Sequence, residues 1–105
     1  MTYQIFRTDT ADAQISGIVL YVAQNFGRRA ALKKLNEIES SILRLGDNPY
    51  LGVDPRYLVL KRQGYKVLIL VKDLGFYKID EAAKMVMIYA VVDQRQDYLN
   101  IVRGL

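Results

Sequence analysis

GYKVLILVKDLGFYKIDEAAKMVMIYAVVDQRQDY, residues 64–98, decides the fold. After Lys84 come eight consecutive apolar residues, Met85 to Val92. That is the pattern of a strand buried on both faces in the middle of a sheet. Val67 to Val71 and Leu74 to Ile79 are shorter β-rich runs, separated only by Lys72-Asp73, and Asp80-Glu81-Ala82-Ala83 leads from the second run to the apolar strand. Connections this short force antiparallel pairing, because a parallel crossover needs a dozen or more residues. The stretch is therefore a meander of three strands, with its last strand central.

Outward from the meander, the rest of the chain supplies helices to cover it. Thr2 to Arg7 is rich in aromatic and β-branched residues and reads as a further strand, and Thr8-Asp9-Thr10 stops it and offers helix N-caps. Ile15, Ile18, Val19, Val22 and Phe26 then fall on one apolar stripe of a helix that ends near Asn25, with Gly27 as its stop. A second helix carries Ala31, Leu35, Ile38, Ile42 and Leu45, turns Lys33, Lys34, Glu37 and Glu39 to water, and closes at Gly46-Asp47-Asn48-Pro49. The short link makes the two an antiparallel hairpin on one side of the sheet. Asp54-Pro55 is an N-cap followed by proline and predicts a short helix to about Arg62. Asp93 to Val102 predicts a last helix capped by Asp93, with Tyr98, Leu99 and Val102 docking it. The fold class is α+β: a mostly antiparallel four-stranded sheet packed on an N-terminal helical hairpin, with a short helix before the meander and a C-terminal helix. Residues 1–105 are expected to form one domain.

Composition removes many mechanisms. The chain has no cysteine and no histidine, which excludes disulfides, thiolate nucleophiles, imidazole acid–base pairs and zinc sites built on Cys or His. No Gly-rich phosphate loop, carboxylate cluster at metal spacing or nucleophile elbow is present, so no cofactor, metal or small-molecule substrate is expected. No run is long enough for a membrane span and no secretion signal opens the chain, so the expected location is the cytoplasm.

Fifteen basic and eleven acidic residues give a formal charge of +4. Residues 54–105, the sheet half, hold nine of the basic and six of the acidic side chains. The candidates among its cations are Arg56, Lys61 and Arg62 on the short helix, Lys66, Lys72 and Lys78 in the meander, and Arg95 after the last strand, close to Tyr98. Alternation puts Lys66, Leu68, Leu70 and Lys72 on one face of their strand. Strand-end lysines commonly protect an edge. The functional alternative is a groove for a polyanionic backbone, in which Lys66 and Arg95 bind phosphate and Tyr98 stacks or transfers a proton.

Strand, helical hairpin, then Phe76-Tyr77-Lys78-Ile79-Asp80-Glu81 and, directly after an apolar strand, Arg95-Gln96-Asp97-Tyr98: this order resembles toxins of the RelE/ParE superfamily over nearly the whole chain. The resemblance implies the toxin half of a type II toxin–antitoxin pair, neutralised by a cognate antitoxin that wraps the toxin and covers its sheet. The activity expected first from it is inhibition of translation by ribosome-dependent mRNA cleavage; the alternatives are DNA gyrase inhibition without catalysis and a non-toxic relative that only binds an antitoxin. RelE-like toxins cut mRNA on the ribosome with a Lys, Arg and Tyr cluster, carried over here as catalytic Lys66, Arg95 and Tyr98, with Arg56, Lys61, Arg62, Lys72 and Lys78 as phosphate-binding groups. ParE-like toxins lack the cluster and inhibit DNA gyrase. Where the nuclease branch has an arginine on the following strand, this chain has Leu74-Gly75, and losing one such charge donor costs on the order of 10²–10³ in rate.

Overall fold

The structure, a computed structural model, describes residues 2–105. Strand β1 (Gln4–Arg7) is followed by α1 (Asp9–Phe26) and α2 (Arg28–Asp47), a 3₁₀ turn (Pro49–Leu51), α3 (Leu58–Arg62), the strands β2 (Lys66–Ile69), β3 (Asp73–Asp80) and β4 (Met85–Asp93), and α4 (Leu99–Arg103). The sheet order is β1-β4-β3-β2. β2–β3 and β3–β4 are antiparallel, and β1 lies parallel to β4. The apolar strand is thus interior, as its sequence requires.

Each face of the sheet carries its own core. On one side Ala11 and Ile15 of α1 and Ile38, Ile42 and Leu45 of α2 pack on Leu68, Tyr77, Val86 and Ile88. On the other, Leu60 of α3 and Val102 of α4 pack on Tyr65, Val67, Phe76, Ala90 and Val92. A bulge in β4 divides the two patterns: Phe76 pairs with Ala90 and Tyr77 with Ile88, so Tyr89 has no partner on β3. The extra residue reverses alternation, so that Val91 returns to the hairpin side while Ala90 faces the other. Thr8 ties the bulge to the hairpin. Its hydroxyl donates to the Tyr89 carbonyl at 3.1 Å and accepts from the Ala11 amide at 3.1 Å, capping α1. Gly27 joins the helices at φ 92°, a conformation that favours glycine.

Several expectations are corrected. α3 begins at Leu58, not at Asp54-Pro55, because the amides of Val53 and Val67 exchange hydrogen bonds of 2.9 and 2.8 Å that draw the chain out as a strand bridge. α4 begins at Leu99 rather than after Asp93. Asp93 ends β4 paired with Asp73, and its carboxylate accepts from the Arg95 amide at 2.8 Å, holding a turn where a helix was expected. Lys34 does not face water: its side chain is 13% exposed and its Nζ lies 2.6 Å from the carboxylate of buried Asp73. Phe26, the end of the α1 stripe, is 70% exposed.

That last exposure follows from the geometry of α1. Gln14 accepts a hydrogen bond from the Val91 amide, two residues from the end of β4. Roughly 18 Å of helix, taking 1.5 Å per residue, continues from there. The hairpin therefore overhangs the end of the sheet.

Candidate functional site

The structure does not bring Lys66, Arg95 and Tyr98 together. Lys66 opens β2 opposite Tyr77, with its ammonium 3.7 Å from Asp54 and 5.7 Å from the centre of the Tyr50 ring. Arg95 follows Asp93, which pairs with Asp73, so the two cations are separated by roughly 13 Å of strand at the usual rise per residue. Arg95 is engaged as well. Its guanidinium donates to both oxygens of Asp93 at 3.1 Å, which raises its pKa and lowers that of the carboxyl. Tyr98 belongs to the core on the opposite face of the sheet, packed edge-on to Tyr57 at 5.6 Å and tilted against Phe76 at 5.1 Å. Burial pushes its phenol upward, away from proton transfer near neutral pH.

The remaining predicted cations disperse too. Arg56 lies over Tyr57 at 5.7 Å and Lys61 pairs with Asp54 at 3.3 Å. Arg62 is exposed on the last turn of α3, and Lys72 is exposed in the β2–β3 turn. Lys78 sits between two aromatic rings, 4.6 Å from the centre of Tyr65 and 5.0 Å from that of Tyr89, where the ring faces hold its charge. Alternation does hold for Lys66, Leu68 and Leu70 as far as the two leucines enter the hairpin-side core, but Lys72 lies beyond the strand. Among the described residues no group of three or more His, Cys, Asp or Glu is placed to hold a metal ion, and no helix is long and apolar enough to cross a membrane.

A different site emerges where the hairpin overhangs the sheet. The C-terminal half of α1, the β2–β3 turn and the end of β4 enclose a groove of about 700 Å³. Its apolar wall is Ile18, Tyr21, Val22 and Phe26, and the Lys34–Asp73 pair and the Asp93–Arg95 pair lie along its charged side. The size is that of an ordinary binding cavity. Sequence reasoning missed it, although two features of the chain pointed there. Gly17 interrupts a long helix, and no acidic residue occurs between Asp12 and Glu37 while Arg28, Arg29, Lys33 and Lys34 do.

The comparisons with known proteins bear on the whole arrangement. Residues 5–98 match the family described as the ParE toxin of type II toxin–antitoxin systems, parDE. The chain belongs to the ParE toxin family. As a ParE-family toxin it has the α+β fold that its sequence announced, and solved structures agree. A chain of the chromosomal ParDE toxin–antitoxin system from P. aeruginosa superposes with a TM-score of 0.72 at 18% identity, over 88% of this chain and 96% of that one. A chain of the RelBE2 toxin–antitoxin complex from Mycobacterium tuberculosis gives 0.65 at 17% identity, over 90% and 100%. At such identities the likeness is one of fold. A sequence comparison with characterised proteins finds no significant match.

Proposed function

We propose that this ParE-family toxin is held inactive in the cytoplasm by a cognate antitoxin and, once released, acts by binding its target without cutting a nucleic acid. DNA gyrase is the target that likeness to ParE-type toxins supports. The observation that carries the reading is the separation of Lys66, Arg95 and Tyr98. Cleavage of a phosphodiester needs a base for the attacking hydroxyl and charge donors for the phosphorane converging on one reacting group, within hydrogen-bond reach of it. Here Lys66 is paired beside the middle of β3, Arg95 is paired beyond the end of β4, and the phenol is packed against the far face.

Ribosome-dependent mRNA cleavage is the competing reading, and expression in cells separates the two. Induction of the toxin without its antitoxin should alter DNA supercoiling and induce the DNA-damage response before translation falls. Lys66→Ala, Arg95→Ala and Tyr98→Phe should each keep toxicity. An immediate halt in protein synthesis, lost in two of those three folded variants, would overturn the binding reading in favour of cleavage.

A further inference from the structure

We infer that the half of the far sheet face left uncovered by α3 and α4, built from Phe6, Met85, Met87 and Lys78, is the surface by which the released toxin binds its target. The occupant it fits is a protein segment that presents an acidic side chain between apolar ones. The inference rests on the reading of a toxin that acts by binding, and gives that act a place and a chemistry.

The strand register assembles the surface. Ile5 turns toward the hairpin-side core, so Phe6 faces the other way. Phe6 pairs with Met87 and Met87 with Lys78, which makes one row across β1, β4 and β3, and Met85 lies two residues along β4 on the same face. The core beneath α3 and α4 stops short of this row. It takes in Phe76, Ala90 and Val92 but not Phe6, Met85 or Met87, and these three belong to the hairpin-side core no more than to this one. Phe6 is 44% exposed and both methionines are partly exposed. One exposed phenylalanine on an edge strand would need no explanation. Three apolar side chains at adjoining positions of one pleated face form a patch, and methionine adapts its shape to what it meets.

Lys78 gives the patch its sign. Its ammonium lies 4.6 Å from the centre of the Tyr65 ring and 5.0 Å from that of Tyr89, and the two rings meet edge to face at 5.6 Å. The bulge makes this seat, because Tyr89 is the residue of β4 that has no partner on β3. Ring faces hold the ammonium in place and damp its field at a distance. At contact it still lacks an anion, since among the described residues no carboxylate lies within 4.0 Å of it. A carboxylate arriving with apolar neighbours would meet a fixed donor in a place those neighbours dry. Such a pair adds selectivity, because a partner without the acid leaves the cation desolvated and unpaired.

The alternatives fit less well. A second copy of the chain would bring another ammonium to the same apolar centre. Asp80, two residues from Lys78 on this face, is tied into the β3–β4 turn, where it accepts from the Ala83 amide at 3.0 Å. A nucleic-acid strand would find one cation among apolar side chains, not the succession of cations that a phosphate backbone pairs with.

The test uses the full-length toxin, purified DNA gyrase and the purified antitoxin. Lys78→Met removes the charge and keeps the shape beside the rings. Phe6→Thr removes the ring at an exposed edge position and keeps a residue that favours strands. Melting temperature and circular dichroism report folding, and Lys66→Ala and Arg95→Ala serve as controls off this face. Each face variant is expected to raise the toxin concentration that half-inhibits supercoiling by about tenfold or more, and to bind the antitoxin within about twofold of wild type. The controls should inhibit as wild type does. Unchanged inhibition by both folded face variants would overturn the inference. So would a loss confined to antitoxin affinity, which assigns the face to the antitoxin, or to self-association in sedimentation, which assigns it to a second copy. A wild-type chain that leaves gyrase untouched refutes the gyrase reading alone, and growth arrest in cells then decides the surface. Arrest lost in both folded face variants, from a wild type that leaves translation running, supports it for another protein target. Arrest retained in both overturns it, as does a wild-type arrest that begins with a halt in translation and is lost in both, which assigns Lys78 to RNA.

Discussion

Replacing Lys34 by methionine should be among the most damaging single changes in the chain. The Lys34 ammonium lies 2.6 Å from Asp73, whose side chain is 4% exposed, and the pair joins α2 to the first residue of β3. Attraction between charges in such a site is opposed by the cost of removing both from water, so the pair contributes little net stability. Taking away one partner is different, because the remaining carboxylate keeps its desolvation cost and loses its compensation. Lys34→Met should therefore cost about 3 kcal/mol or more, a large part of the stability of a domain this size. The melting temperature should drop by roughly 10 °C or more. Lys34→Met with Asp73→Leu removes both charges and should recover most of the loss, to within about 1 kcal/mol of wild type. Urea denaturation followed by circular dichroism completes the double-mutant cycle. A single-variant cost below about 1 kcal/mol would refute the reasoning, and would mean that water entering through the groove solvates Asp73 as well as Lys34 does.

Tyr77→Phe should destabilise the fold by about 2 kcal/mol in the same assay. The buried hydroxyl donates to Pro49 O at 2.7 Å and accepts from the Gly52 amide at 3.0 Å, so its loss orphans a donor and an acceptor that fix the 3₁₀ turn to the sheet. Tyr65→Phe should be neutral or slightly stabilising by thermal melting, because its hydroxyl is buried without a hydrogen-bond partner and leaves none behind. Acid should weaken the junction of β1, the 3₁₀ turn and the β3–β4 connection. There Glu81 accepts from Tyr50 at 2.7 Å and Tyr3 at 2.8 Å, which lowers its pKa below the ordinary 4.5. A depressed carboxyl contributes stability above its unfolded value and loses it as pH falls through the folded one, so Glu81→Gln should flatten the stability profile below about pH 4.5.

What the sequence could and could not announce follows from the range of the interactions involved. The meander was legible because short connections and side-chain alternation are local. The hairpin was legible because its stripes repeat at the helical period. The bulge at Tyr89 was not, since nothing in Met85–Val92 distinguishes a residue left out of the ladder from its neighbours, yet that one residue decides which side of the sheet Ala90 and Val91 face. The α3 start was misread for a similar reason. Asp54-Pro55 is a sound local start signal, but a long-range bridge from Val53 to Val67 overrides it. Lys34 resembles any other lysine on a polar helix face until Asp73, far along the chain, is buried beneath it.

Counting charge by sequence half was the least informative step, and the structure shows why. The sheet half holds more cations, but Lys61, Lys66, Lys84 and Arg95 are each within 4.0 Å of a carboxylate, and Arg56 and Lys78 rest on tyrosine rings. Their fields are largely met inside the molecule. Arg28, Arg29 and Lys33 have no such counterpart among the described residues, so the hairpin tip, which held no expected site residue, carries unopposed charge, as do Arg62, Lys72 and Arg103 in the sheet half. An incoming anionic partner responds to that unopposed charge rather than to the number of lysines in a segment. Long-range attraction to this protein should accordingly follow Arg28 and Arg29 more closely than Lys66 and Arg95. A fold shared at 18% identity with a chain of a ParDE toxin–antitoxin system does not constrain this distribution, because backbone architecture and the placement of surface cations vary independently.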